Sequence, residues 1–327
     1  MNILFLIENI DNRTALNLID AIKRTGHKVD VLPYFQRKVE HCKIIRENKA
    51  YLLFEGRSYH PSDYDAAFLW SWGTAPLGRK YLRVFEEQGV HVLNSTQHTE
   101  ITDSKIELAK LLRKASVPSP NTLVFESGFS SNSAQKIKVQ LVKPPYVFKV
   151  DYGTQGLGVH FAFSIKEIQQ LADKLKAESP NNCGFIVQEF IGDPNVIISH
   201  YRALVIGDTV LPVAIKATAT EKLCVSNIAA GASTELVPIH NAVKEIALNA
   251  TKSTGLKVAG VDIMIRQKGK REDIVVLEVN DGPGTKTFDS KGFQASKLII
   301  DFFINELDQK IPNDINSEQV AISANEV

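Results

Sequence analysis

Val147-Phe148-Lys149-Val150-Asp151-Tyr152-Gly153-Thr154-Gln155-Gly156-Leu157-Gly158-Val159-His160-Phe161 is the stretch from which the fold is read. An apolar run ending in a lysine, glycines at 153, 156 and 158, and a second apolar run describe two strands joined by a flexible loop. Such a loop can fold over phosphates. Glycines let backbone N–H groups approach oxyanions with no Cβ in the way, and Lys149 brings a compact positive charge. It is not a Walker A loop, because no Gly-Lys-Ser/Thr opens a helix, nor a dinucleotide fingerprint, because the next element is a strand. Taken alone, an ordinary glycine-rich hairpin accounts for the same residues.

Downstream, a second pattern narrows the reading. The segments Val258 to Arg266 and Ile274 to Asn280 form a ribbon joined by the charged turn Gln267-Lys268-Gly269-Lys270-Arg271. Strand side chains alternate faces, so Glu278 and Asn280 share one face and Leu277 and Val279 the other. If the strands pair, Asp262 joins the first face. Three oxygen donors on a rigid ribbon suit one or two Mg²⁺ ions, which take carboxylates together with substrate phosphates. The bland alternative is a solvated strand face. Between the two patterns, Gln188-Glu189-Phe190-Ile191 ends an apolar strand ahead of Gly192-Asp193-Pro194 and can offer backbone groups to an adenine edge, with Asp193 near ribose hydroxyls. Lys105, at the start of a helix capped by Asp103-Ser104, is unremarkable by itself.

Working outward, the chain up to about Asn94 alternates strands and helices. Ile3 to Ile7, Lys28 to Leu32, Ala66 to Trp70 and Val90 to Leu93 read as strands, with helices at Thr14 to Thr25 and Leu77 to Gln88. This predicts a small, mostly parallel α/β domain. Ser95 to Asp103 is polar and turn-like and reads as a linker. A helix follows at Lys105 to Lys114, then strands at Asn121 to Phe125, Tyr146 to Val150 and Phe185 to Ile191, with a helix at Ile165 to Ala177. Arg202 to Ile206 and Thr209 to Ile215 read as a hairpin, because Gly207-Asp208 admits a primed turn. Helices are expected at Asn241 to Thr254 and Ser296 to Leu307, and the polar tail past Pro312 lacks the apolar residues to order itself. Trp70-Ser71-Trp72-Gly73 ends a strand, where the two rings either pack in the core or line a cleft.

Composition excludes several classes. The chain has 327 residues, 44% hydrophobic and 23% charged, as globular proteins do. Lys plus Arg number 38 against 37 for Asp plus Glu, so no overall field favours nucleic acid or anionic lipid. Acidic Glu8 and Asp11 interrupt the first apolar segment where a signal peptide would continue, and no run approaches the roughly 20 apolar residues of a spanning helix. Cys42, Cys183 and Cys224 are odd in number, scattered and without zinc or redox spacing, so buried free thiols in a reducing cytoplasm are expected.

In order and spacing, these pieces resemble the ATP-grasp superfamily, most closely its RimK-like branch of amino-acid ligases. The resemblance runs from about Thr102 to Ser296 through Asp103-Ser104-Lys105, Val117-Pro118-Ser119-Pro120-Asn121-Thr122, the lysine and glycine-rich loop, Gln188-Glu189-Phe190-Ile191, Ser226-Asn227, Ala259-Gly260-Val261-Asp262 and Glu278-Val279-Asn280 before Gly282-Pro283-Gly284. It implies an α/β (α+β) ATP-grasp fold: an N-terminal Rossmann-like pre-ATP-grasp domain (1–95), a central subdomain with the glycine-rich loop (96–185), a C-terminal subdomain with the metal site (186–311) and a flexible tail (312–327). By the resemblance, Lys105 and Lys149 contact phosphates, Gly153, Gly156 and Gly158 form the loop over them, and Gln188, Glu189, Phe190 and Ile191 are the adenine hinge. Ser226 and Asn227 complete the nucleotide contacts. Asp262, Glu278 and Asn280 hold two Mg²⁺ ions, with Mn²⁺ as the alternative metal.

The resemblance further implies transfer of the γ-phosphoryl group of ATP to a carboxylate, followed by attack of an amine on the acyl phosphate to give an amide. Departures fall on the substrate side. The family's Asp-x-Arg pattern reads His200-Tyr201-Arg202 here, which leaves Asp193 as the ribose candidate. The arginines and histidine of glutamate-adding relatives are replaced by Lys216-Ala217-Thr218 and Val225 to Gly231, which argues against a strongly acidic substrate there. Arg202 and Lys216 remain as anchors for a single carboxylate. Asp281 either attracts an ammonium or caps its turn. The partners implied are small amino acids or peptides, with neither nucleic acid nor membrane, and a homo-oligomer is compatible with the sequence. Modification of a peptide or protein tail, and nucleotide binding without turnover, are the competing readings.

Overall fold

A computed structural model describes residues 1–8, 10–36, 39–40, 42–71, 75–141, 143–153, 156–222, 232–268 and 271–323. The chain divides into two compact units, Met1–Thr96 together with Gly284–Val327, and Gln97–Pro283. In the first, four parallel strands stand in the order Lys28–Pro33, Asn2–Ile7, Ala66–Trp70, His91–Leu93. Residues Ile3 to Ile7 are wholly buried, which is why this central strand reads as an unbroken apolar run and not an alternating one. Helix Arg13–Arg24 opens on Asn12, whose side chain accepts from the Ala15 N–H at 3.2 Å, and buries Leu18, Ile19 and Ile22. Phe68 stacks on Phe5 at 5.1 Å and meets Phe303 edge-on at 5.4 Å, so the last helix closes this core.

The sequence reading follows chain order and assigns residues up to 311 to the metal-bearing subdomain; in the structure the chain joins the first unit from Gly284 onward. The last helix runs Ala295–Ser323, past Leu307 and past Pro312, whose ring removes one amide donor without ending the helix. The segment read as a linker is also helical, Thr96–Asp103. Its hydroxyl residues Thr96, Thr99 and Thr102 recur every third position and are all buried, a one-faced pattern that polarity conceals. Short antiparallel strands at Cys42–Arg46, Ala50–Phe54 and Arg57–Tyr59 lie between Lys28–Pro33 and Ala66–Trp70, where no periodicity announces them. Cys42 is a buried free thiol, Cys183 is a half-buried one, and Cys224 falls outside the described residues. Trp70 is buried and stacks on Phe68 at 5.7 Å, while Trp72 and Gly73 fall outside the described residues. Among the described residues no helix is long and apolar enough to cross a membrane.

The second unit carries two antiparallel sheets. One is ordered Thr122–Phe125, Phe185–Glu189, Tyr146–Val150, Val159–Ala162, and the other Ser233–Pro238, Thr209–Thr218, Ser199–Ile206, Val258–Lys268, Arg271–Asn280. The hairpin at Gly207-Asp208 forms as its sequence predicts, with Gly207 at φ 56°. Helix Asn241–Thr254 lays Val243, Ala247 and Ala250 on the second sheet against Ala203, Val205, Val261 and Val279. It stops at Gly255, φ 76°, where a Cβ would also come within 2.7 Å of the His98 ring. Helix Lys105–Lys114 begins at Ser104, whose hydroxyl accepts from the Glu107 N–H at 3.1 Å, and adds Leu108 and Leu112 to the same core.

Candidate active site

Register places the charged residues of the second sheet. Arg202 stands opposite Asp262, and Asp262 opposite Glu278, on three adjacent strands. Opposed residues of antiparallel strands project from one face, so the three form a row, with Asn280 two residues along on the same side. Val261 and Val279 point the other way into the core. Arg202 donates from Nε to Asp262 Oδ1 and from Nη2 to Oδ2, both at 2.6 Å, a bidentate pair. Asn280 Nδ2 donates to the same Oδ2 at 3.3 Å, and His200 Nε2 lies 3.7 Å from Oδ1. Gly260 leaves space for this row: a Cβ there would come 2.8 Å from Pro283 and 3.3 Å from the Arg202 stem.

Burial of Asp262 works against its charge, yet the Arg202 cation, His200 and the hydrogen bonds from Arg202 and Asn280 outweigh it and hold the carboxyl below its ordinary range. Burial likewise works against the Arg202 charge, and Asp262 more than offsets it. His200 is pushed below the ordinary imidazole value, first by burial and then by Arg202.

The first sheet and the helix Lys105–Lys114 deliver the cations. Lys149 ends strand Tyr146–Val150 and is driven below the usual ammonium range by burial and by Lys105, against the pull of Glu278 and Asp262. Lys105 is buried at the first turn of its helix, donates from Nζ to the Gly153 carbonyl at 2.6 Å, and lies 3.6 Å from Glu278 Oε1. Gln188 donates to Thr122 Oγ1 at 2.9 Å. Lys105, Lys149, Thr122, Gln188, Leu277 and Glu278 line one cleft. At the base of the glycine-rich loop, a Cβ on Gly158, φ 76°, would strike Val150 at 2.3 Å, so this position admits glycine alone. Gly156 is also left-handed, at φ 79°, whereas Thr154 and Gln155 fall outside the described residues.

Lys105 and Lys149, a glycine-rich loop and a carboxylate row thus belong to one unit of the chain, and the family model of the RimK-like ATP-grasp domain matches residues 102–303. The chain belongs to the RimK-like ATP-grasp family. A probable alpha-L-glutamate ligase of Haemophilus influenzae is 30% identical over 312 residues, covering 92% of this chain and 97% of its own length. Among solved structures, the D-Ala:D-Ser ligase VanG of Enterococcus faecalis has a TM-score of 0.65 at 17% identity, over 92% of this chain and 98% of VanG. The ATP-grasp ligase PsnB, solved with a minimal precursor, Mg and ADP, has a TM-score of 0.62 at 19% identity, over 92% and 97%. At such identities these two structures carry the ATP-grasp fold alone. The protein is an ATP-grasp ligase.

For this RimK-like chain, several expected site residues stand apart from the cleft. Lys216 is opposite Tyr201 and Glu235, one step off the Arg202 row and therefore on the other face of the sheet, and donates to Glu235 Oε1 at 2.9 Å. That carboxylate raises its pKa. Pairing Lys216 with Arg202 as joint anchors fails on this alternation, which a single sequence cannot phase. Asp193 is exposed and accepts from the Asn195 N–H at 2.8 Å, an Asx turn. Glu189 accepts from the Asn121 N–H at 3.1 Å, Phe190 meets Phe161 edge-on at 5.8 Å, and Ile191 packs with Met264 and Val275. Ser226 and Asn227 fall outside the described residues.

One buried group was given no role by sequence reasoning. Asp151 Oδ1 accepts from Ser104 Oγ at 2.7 Å and from the Ile106 N–H at 3.0 Å, and its carbonyl accepts from the Lys105 N–H at 3.2 Å. The available signal was an acid standing between the strand lysine and the first loop glycine, where a phosphate-binding segment gains nothing from negative charge.

The donor chemistry fits a hard divalent cation. Asp262, Glu278 and Asn280 supply oxygen atoms on adjoining strands, and the bond from Asn280 to Asp262 brings two of the three together. Both Asp262 oxygens are held by Arg202, so an ion binding there takes over charge that the guanidinium now balances.

Proposed function

We propose that this chain joins a carboxylate to an amine at the expense of ATP, through an acyl phosphate. The observation that carries the reading is the single cleft in which Lys105 and Lys149 stand beside Glu278, in the row of Asp262. In the proposed reaction, a carboxylate oxygen attacks the γ-phosphorus of ATP and ADP leaves. The amine nitrogen then attacks the acyl carbon, phosphate departs and the amine gives up a proton. Lys105 and Lys149 would lie along the phosphates and offset their charge, and Gly153, Gly156 and Gly158 would let backbone N–H groups close on them. Asp262, Glu278 and Asn280 would hold Mg²⁺, which supplies charge neutralisation on the transferring phosphoryl group. Arg202 would anchor the carboxylate once released from Asp262. Lys216, on the opposite sheet face, has no part in this reading.

The substrates are proposed as amino acids or peptides. Because the relatives are named alpha-L-glutamate ligases, glutamate is the first amine to try, against neutral amino acids and short peptides. Phosphate release from ATP with each carboxylate–amine pair, followed by mass analysis of the product, tests the reading. Asp262→Asn and Glu278→Ala are expected to lower turnover by about 10²–10⁴-fold, the weight of a metal ligand at a phosphoryl transition state. Normal turnover in either would remove the metal assignment, and nucleotide binding without product for any pair would favour a regulatory protein.

A further inference from the structure

Resting on that reading, we infer that Asp151 is the positioning residue for the phosphate-binding lysine: it fastens the foot of the glycine-rich loop to the helix that begins with Lys105. Asp151 is 8% exposed, and three donors converge on this residue: Ser104 Oγ and the Ile106 N–H on Oδ1, and the Lys105 N–H on its backbone oxygen. Its own N–H donates to the Gly184 carbonyl at 3.0 Å, which ties the foot to the neighbouring strand. Lys105 Nζ returns the connection by donating to the Gly153 carbonyl at 2.6 Å.

Two segments 47 residues apart are thereby joined at both ends of one side chain. Donors of a helix's first turn lack intrahelical partners and carry the positive end of its dipole. A carboxylate supplied from the loop satisfies Ile106, and it shares the Ser104 hydroxyl that already caps Glu107. An ammonium on a flexible four-carbon stem needs such a fixed origin if it is to meet a phosphate reproducibly. Asp151 carries negative charge beside a site that binds anions, yet its Oδ1 is turned into helix donors and away from that task.

The test uses the full-length protein. Asp151→Ala is expected to lose amide protection at Ile106 while Glu107, still bonded to Ser104, keeps its own. It should raise the KM for ATP about tenfold and leave the KM of the carboxylate within about twofold, the cost of misplacing one charged contact. Asp151→Asn retains an acceptor oxygen and should restore most of both. Should the alanine variant fail to fold, Ser104→Ala removes one of the donors and should raise the ATP KM about threefold. Calorimetry with magnesium and adenylyl imidodiphosphate separates the two claims. Wild-type protein that binds no nucleotide defeats the functional reading, and amide exchange then decides the tether by itself. Nucleotide affinity unchanged in Asp151→Ala, with or without a lower melting temperature, would reduce Asp151 to ordinary structural duty and overturn the inference.

Discussion

Each unit of the chain contains an aspartate–arginine pair, between two sheets in the first and between adjacent strands of one sheet in the second, and the two pairs behave differently. In the first unit Asp30 receives Arg57 and the Tyr64 hydroxyl, the latter at 2.8 Å, with the Arg57 side chain 58% exposed. In the second, Asp262 receives Arg202 bidentately with its own side chain 8% exposed. Water screens the first pair and largely leaves the second alone. The first therefore decorates a contact between two separate sheets, whereas in the second neither charge is tolerated without the other. The arginine keeps the buried Asp262 carboxylate ionised.

Removing Arg202 is the strongest way to break the contrast. Arg202→Ala strands a buried carboxylate and should destabilise the metal-free protein by about 3–5 kcal/mol in denaturant titrations at neutral pH. The Asp262 carboxyl is held below its ordinary value, so its contribution is full above the unfolded pKa of about 3.9 and is lost as pH falls through the folded one. The gap between wild type and variant should accordingly close in acid. If it stays open there, the Asp262 charge is not what Arg202 stabilises.

Lys149 sharpens the contrast from the opposite sign. Burial and Lys105 depress its pKa, so the folded state carries a penalty while this lysine is charged, full below the folded pKa and relieved as pH rises toward the unfolded value of about 10.4. Lys149→Met, which fills the same space without the charge, should raise stability by about 1 kcal/mol at pH 7 while lowering turnover, and the stability gain should shrink with rising pH. A variant that is less stable at every pH would mean the cation is needed by Glu278 more than it suffers from burial.

These pairs also show what one sequence reveals. The Lys149 loop was legible as two strands joined by a glycine-rich segment because apolar runs and glycines are local signals, and Gly158 takes a left-handed φ against Val150. Glu278 and Asn280 were legible as a pair because alternation is local. The link from Asp262 to Arg202 spans 60 residues and needs the register of two strands. The separation of Lys216 from Arg202 needs the phase of a third. Asp151 was legible as a residue and opaque as a contact, since its donors come from a helix far upstream. The crossing at Gly284 was hidden because the partners of the helix Ala295–Ser323 lie far upstream in the chain, and Phe303 finds Phe68 only in three dimensions.

In the first unit smaller effects are expected. Tyr64 is raised above the ordinary phenol value by burial and by Asp30, so its contribution is full below the unfolded pKa of about 10 and is lost as pH climbs above it. Tyr64→Phe removes one hydrogen bond, about 0.5–1.5 kcal/mol at neutral pH, and should flatten the alkaline loss seen in wild type.

Arg57→Ala is the smallest and tests the comparison most directly, because it repeats the Arg202 change on an exposed pair. The Arg57 guanidinium also sits 4.6 Å over the Tyr59 ring. Even so, an exposed ion pair contributes about 0–1 kcal/mol, since both side chains lose rotamer freedom and water competes for their charges. The loss should fall further in 1 M salt, where the screening length is about 3 Å, leaving only the stacking on Tyr59. Salt should change the Arg202→Ala loss much less, because a buried pair is screened less than an exposed one. If both variants lost the same stability and responded alike to salt, burial would not be what distinguishes the two pairs.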